Sequence, residues 1–337
     1  MNRPGLLKSS LKRGALLTGA NWPVVLIQFA AESMFKLLLA APILCAALVV
    51  ALLLGRDLYE LLSGGLRETV TTIASALISQ PLTLVAFLFA IGIVLLGGSA
   101  LMFLVKGGTV SVLADAEATV GAIEEPPLRL IAFRAASRYS ISNYLIGGAR
   151  LSRRYLMLGL ALIVVYFLSA VLYLVVVFAG YRWISNRTLV VAWTLIAALI
   201  STLLVVWITA VNLIYLLIQI IMAVSGRGIR WSVSEVFRFL KTDLWDVIGV
   251  FGVILLLVVL ATAASIAATA GLGLIAFMPI ATLVVLPVQL GAWLLRNLLF
   301  QYLGLTALAA YLHLYRSSGL VPQPARRRVG APAPHSS

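Results

Sequence analysis

From Leu189 to Val224 the chain runs for 36 residues without a glycine, a proline or a charged side chain. A surface helix of a soluble domain carries a polar face, so a run of this kind belongs in lipid or in a deep core. It exceeds the about 20 residues that cross a bilayer. As a helix it measures about 54 Å against a hydrocarbon core of about 30 Å, more than tilt can absorb. Its inner end is expected to project beyond the lipid. There Leu217, Ile220, Ile221 and Met222 need cover, and segment 106–154 is the nearest candidate to supply it.

Composition extends this to the whole chain. Hydrophobic residues make up 62% and charged residues 11%, with a mean hydropathy of +1.10. Soluble domains sit near about 45–50% and about 25%, so a soluble fold and disorder are both excluded. Six segments are expected to span, at about 22–55, 81–105, 155–179, 189–224, 247–270 and 286–315. Lipid cannot satisfy backbone polar groups, so these are helices. The expected fold is an all-α polytopic transmembrane bundle, one domain over 1–316, with amphipathic cytoplasmic helices and a disordered basic, Pro/Ala-rich cytoplasmic tail over 317–337. The path of 271–296 is open. One reading breaks it near Pro287, after a periplasmic or re-entrant stretch holding Gly271, Gly273 and Pro279. The other makes two spans turning at Arg296-Asn297, which would put Arg326, Arg327 and Arg328 outside.

The net charge of +14 would suggest nucleic acid in a soluble protein. Here its distribution indicates orientation instead. With the N-terminus inside, the cytoplasmic pieces hold 20 lysines and arginines and the outer ones 4. That is the positive-inside pattern, with both termini cytoplasmic and no call on nucleic acid.

Catalytic motifs are absent. No metalloprotease helix, nucleophile elbow or phosphate loop occurs, and the two histidines, His313 and His335, are far apart. Asp115, Glu117, Glu124 and Glu125 read as a solvated, salt-bridged surface. Cys45, the one cysteine, permits no intramolecular disulfide and reads as a small buried hydrophobe. The expectation is a non-enzyme with no cofactor and no metal.

Polar residues at membrane depth are the sharper candidates, since they are costly in lipid. Arg296, Asn297 and Gln301 form a cluster in the last span, with Gln289 two turns earlier. Arg296 either lies within the membrane facing a partner or water, or snorkels at the outer interface. Glu32 and Lys36 stand four apart in the order that favours an ion pair. Asn212 and Gln219 share a face suited to hydrogen bonds between helices. Ala263, Ala267 and Gly271 make a small-residue stripe for close helix packing.

Basic stretches lead into alternate spans. These are Leu11-Lys12-Arg13, Arg150–Arg154 and Phe239-Leu-Lys241; the lead-in 127–145 also reads as helical, with Arg134 and Arg138 on one face with Leu130, Ile141 and Leu145, which suits a membrane interface. With Arg153 and Arg154 they are candidate contacts for anionic lipid. Before the fifth span, Ser232 and Glu235 are spaced as N-cap and third helical residue. The outer loop 56–80 carries Arg56, Asp57, Glu60, Arg67 and Glu68 among leucines and reads as a short amphipathic helix interrupted by Gly64-Gly65.

The Lys106-Gly107-Gly108 exit from span two, the helix 232–241 feeding span five and the closing Ala-Ala-Tyr311-Leu-His-Leu-Tyr315-Arg316 are the basis of a resemblance. The chain resembles a bacterial multi-pass group that also forms the membrane domain of some glycerophosphodiester phosphodiesterases. No attached phosphodiesterase domain is present, so the resemblance transfers neither that activity nor any catalytic residue. It implies a bacterial inner-membrane protein. The expected role is to organise or handle lipid or a membrane partner, including a second copy, with anionic headgroups on the inner face. The alternative is a lipid or small-molecule transporter or channel using Arg296–Gln301. The charge pattern predicts that alkaline phosphatase fused after Arg67 is active in whole bacteria, and that the same enzyme fused after Gly226 or Ser317 is silent. Activity at either of the latter two would reverse or break the six-span order.

Overall fold

The computed structural model describes residues 4–54, 71, 75, 78–79, 81–121, 123–124, 130–182, 187–275 and 279–320. The helices are α1 (Pro4–Ala20), α2 (Trp22–Leu54), α3 (Pro81–Thr119), α4 (Leu130–Ala136), α5 (Ile141–Arg182), α6 (Arg187–Ser225), α7 (Ile229–Ile275) and α8 (Pro279–Ser317). All but α1 and α4 are long and apolar enough to cross a membrane, which makes this an integral membrane protein with six spans among the described residues. Most of the 56–80 loop, the segment 125–129 and the tail 321–337 lie outside the described residues.

The helices overrun the segments expected from hydropathy. Span two continues fourteen residues past Val105 to Thr119, span three starts at Ile141, and span five starts at Ile229 with a kink at Asp243 (φ −126°, ψ 31°). Residues 106–119 are therefore helix, not loop. The last span is also resolved: Gly271 and Gly273 belong to α7, Pro279 opens α8, and α8 passes through Pro287 without ending. α8 runs unbroken from Pro279 to Ser317, so neither a stop at Pro287 nor a turn at Arg296-Asn297 occurs.

These overruns gather at one end and form a core of the soluble kind. Leu217, Ile220, Ile221 and Met222 are buried there. Their cover is α3, α5, α7 and α8, so segment 106–154 supplies part of it as helix. Leu305 to Tyr315 of α8 is the hub of this core, and its closing residues are almost fully enclosed. The apolar window of α8 is 61% buried, while those of α5 and α6 are 0% buried, so α8 is central and the outer halves face lipid. Cys45 is accordingly exposed on α2 and not within the protein core. Lipid satisfies an apolar side chain as well as protein does, so hydropathy alone cannot tell these two burials apart.

Two backbone approaches set the packing at this end. α3 crosses α5 where Gly107 and Gly108 meet Gly148 and Tyr144. A Cβ on Gly148 would lie 2.6 Å from the Leu104 carbonyl, and one on Gly108 2.7 Å from that of Tyr144. α1 seats on α8 through Gly14. Tyrosine hydroxyls then tie helices together by donating to backbone carbonyls: Tyr144 to Val105 (2.8 Å), Tyr155 to Gln219 (2.9 Å) and Tyr302 to Ala15 (2.9 Å). Asn212 accepts from Tyr166 of α5, while Gln219 takes part through its backbone.

Asn21, fully buried between α1 and α2, replaces the continuous helix expected over 127–145 with a break. Its side-chain oxygen accepts from the backbone N–H groups of Arg138 and Tyr139, and its amide donates to the Ala136 carbonyl. Chain 137–140 is thereby held out of helix, and Arg134 and Arg138 do not share a helical stripe. Ser232 is likewise no N-cap. α7 has already begun at Ile229, and the Ser232 hydroxyl donates back to the Gly228 carbonyl at 3.1 Å.

Gly14→Ala tests the seat of α1. The new Cβ would meet the Thr306 carbonyl at 2.6 Å and the Ala310 nitrogen at 2.9 Å. Overpacking of this kind costs about 1–3 kcal/mol, against about 1 kcal/mol gained in helix propensity. The expected outcome is a lower thermal midpoint in detergent. A raised midpoint would show that α1 does not approach α8 this closely.

Candidate functional site

α8 carries its polar residues on two faces. Arg296 and Gln301 are five residues apart, which at 3.6 residues per turn separates them by about 140°. They therefore do not form one cluster. Arg296 lines a groove of about 530 Å³ between α7 and α8, together with Ala261, Ala264, Ser265, Ala268 and Gln289. Asn297 and Gln301 line a second groove, of about 430 Å³, between α2 and α8 with Phe29, Glu32, Lys36 and Leu294. Trp293 stands at the edge of both.

Arg296 lies seventeen residues into α8, about 25 Å from its start at Pro279, so it is not at the outer end of the span. Exposed Val288, Leu290, Leu295 and Leu299 surround it on the same helix. Its guanidinium packs 5.6 Å from the Phe300 ring. No carboxylate among the described residues pairs with it, although Gln289, Ser265 and Thr269 share its groove.

In the second groove Lys36 pairs with Glu32 at 2.7 Å, and Gln301 donates to the other Glu32 oxygen. Lys106 of α3 is within electrostatic reach of Glu32. In sequence the Glu32–Lys36 pair, Lys106 and Gln301 are separate features. Nothing local in sequence reports a contact across 269 positions. Asn297 turns back to its own helix, donating to the Trp293 carbonyl at 2.9 Å.

The α7 face toward α8 is Ala261, Ala264, Ser265 and Ala268. The stripe Ala263, Ala267 and Gly271 is exposed, and a Cβ on Gly271 would meet nothing within 4 Å. Small residues occur all round the helix over 261–271, so spacing alone could not select the packed face.

A third polar group closes the core end. Arg13 of α1 donates to Glu117 of α3 at 2.7 Å and to Glu124 at 2.9 Å, as well as to the Val120 and Gly121 carbonyls. Glu117 also holds His313 Nδ1 at 2.8 Å, and Arg316 donates to the Ala114 carbonyl at 3.1 Å. Burial by itself lowers the Arg13 guanidinium, but the hydrogen bonds and charges of Glu117 and Glu124 outweigh it and hold the group above its ordinary value. A raised value keeps the pair intact below the ordinary guanidinium range, so Arg13 does not titrate at any working pH. Glu117 and Glu124, expected on a solvated surface, are thus structural ion-pair partners. The sequence hint was the setting of two carboxylates, Asp115 and Glu117, among the small residues of Ala114–Thr119.

Of the four arginines proposed for anionic lipid, two are committed within the protein. Arg154 donates to the Gly226 carbonyl at 2.6 Å, and Arg138 to Thr119 Oγ1 at 3.1 Å. Arg134 and Arg153 are exposed and have no partner among the described residues. No group of three or more His, Cys, Asp or Glu that could hold a metal occurs among the described residues.

Comparison with protein-family models, with curated proteins and with solved structures gives no match. The residues behind the family resemblance have structural positions of their own: Gly107 and Gly108 make the α3–α5 crossing, and Tyr311–Arg316 closes the core.

Removing one member of a buried ion pair costs about 3–5 kcal/mol, whereas an exposed pair contributes about 0–1 kcal/mol. Arg13 and Glu117 side chains are 7% and 4% exposed, Lys36 64%. Arg13→Met should therefore lower the thermal midpoint in detergent sharply, and Lys36→Met barely. Equal midpoints for the two variants would remove the Arg13 network from the foundations of the fold.

Proposed function

We propose that this chain handles lipid, taking lipid molecules into the grooves beside α8, and that it is not an enzyme. The observation that carries the reading is the α7–α8 groove. It is about 530 Å³, walled by alanines and leucines, lies along a membrane-spanning segment and holds an arginine with no carboxylate partner among the described residues. An apolar wall with a few polar groups suits an amphiphile better than water or a soluble ion. The second groove has the same build, with Glu32, Lys36 and Gln301 in place of Arg296.

The placement in a bacterial inner membrane with both termini cytoplasmic rests on the sorting of 20 basic residues to one side and 4 to the other. In that orientation the buried core end is cytoplasmic, and Arg134 and Arg153 remain available to anionic headgroups. A transport pathway through a joint Arg296–Gln301 site is less favoured, because the two side chains lie in different grooves.

Filling the groove tests this. Ala268→Trp puts a large side chain into the α7–α8 groove without touching the buried core end. Native mass spectrometry of the purified full chain should then show fewer retained lipid molecules than for wild type, at an unchanged thermal midpoint. Equal retention by the two proteins would argue against lipid occupancy of that groove.

A further inference from the structure

We infer that Arg296 is a phosphate-binding residue, and that the α7–α8 groove takes the headgroup end of an anionic glycerophospholipid from the leaflet on the core side. The inference rests on the lipid-groove reading and adds the headgroup chemistry, the leaflet and the residue that recognises it.

Depth comes first. Glu32, Lys36 and Gln301 mark a charged level where the buried core gives way to the exposed apolar belt. Arg296 lies five residues farther along α8, about 7.5 Å toward the belt. An arginine stem reaches several ångströms, so its guanidinium serves the headgroup level of that leaflet without reaching the membrane centre. At such a depth an unpaired guanidinium is costly, and a ligand of opposite charge removes the cost.

Chemistry selects phosphate. A guanidinium presents a planar fork of donors that matches phosphate oxygens in pairs, and the resulting bonds are charge-assisted. Among the described residues no carboxylate neutralises it: Arg13, the buried arginine of the core, has Glu117 and Glu124, while Arg296 has the Phe300 face and shares its groove with Gln289 and two hydroxyl residues of α7. Gln289, two turns outward on the Arg296 side of α8, adds a second polar side chain to the same groove.

Shape selects lipid over free phosphate. Beyond the polar residues the groove is walled by Ala261, Ala264, Ala268, Leu295 and Leu299, with Trp293 at its edge. Those walls suit acyl chains and offer nothing to a hydrated ion.

The test uses the full chain in detergent with phosphatidylglycerol, with diacylglycerol of the same acyl chains, or with inorganic phosphate, read by native mass spectrometry. Wild type should retain phosphatidylglycerol in preference to diacylglycerol. Arg296→Gln should lower phosphatidylglycerol retention by about tenfold, the equivalent of one lost charge-assisted pair, and leave diacylglycerol unchanged. Arg296→Lys keeps the charge without the fork and should fall between the two. Arg296 is exposed and bears no ion pair among the described residues, so these variants are expected to keep the wild-type thermal midpoint. If Arg296→Gln retains phosphatidylglycerol as wild type does while Ala268→Trp sheds lipid, the phosphate assignment fails and the groove reading stands. If wild type retains neither lipid, the groove reading fails as well. Displacement of phosphatidylglycerol by millimolar inorganic phosphate would overturn the choice of lipid as the source.

Discussion

Helices immersed in lipid gain little apolar free energy by touching, because acyl chains are as apolar as leucine. This chain meets that constraint by carrying its helices beyond the apolar belt and packing the extensions as a soluble core would. Leu217 to Met222, Phe239, Val247 and Leu305 to Tyr315 enclose one another there, with Arg13 and Glu117 paired among them. The buried pair does more to fix arrangement than to add stability, since burying two charges offsets most of their attraction. It ties α1 to α3, and through His313 to α8.

Because cohesion is concentrated at that end, the outer halves are free to stand apart, and the space between them becomes groove. α8 belongs to both regimes. Its inner half is the hub of the core, and its outer half presents Arg296 to one groove and Asn297 with Gln301 to the other. A rigid base with open upper helices is a physically coherent way to hold an amphiphile whose chains must remain continuous with the bilayer.

The six spans were legible because lipid demands uninterrupted apolar runs. Leu189–Val224 was read to within two residues of Arg187–Ser225 at each end. Helix ends at the core were not legible, because Gly107-Gly108 and Gly147-Gly148 resemble helix ends locally and hydropathy measures lipid contact alone. Asn21 was invisible as a helix breaker, since the backbone it caps lies more than a hundred residues away. At the site, Arg296 and Gln289 were correctly placed on one face by their spacing of seven. The separation of Arg296 from Gln301 was also available from helical phase, but proximity in sequence was taken for proximity in space. The partnership of Gln301 with Glu32 required the fold.

The seat of α1 on α8 has a consequence for biosynthesis. The Tyr302–Ala15 bond joins positions 287 apart in the chain. During translation α1 emerges long before its partner α8. Until α8 is made, the face of α1 around Gly14 has no lid, and the core cannot close. Membrane insertion can proceed span by span, but closure of this core waits for α8. A ribosome that stalls before residue 300 therefore leaves an inserted but open molecule, with its first helix displayed to whatever surveys the membrane surface.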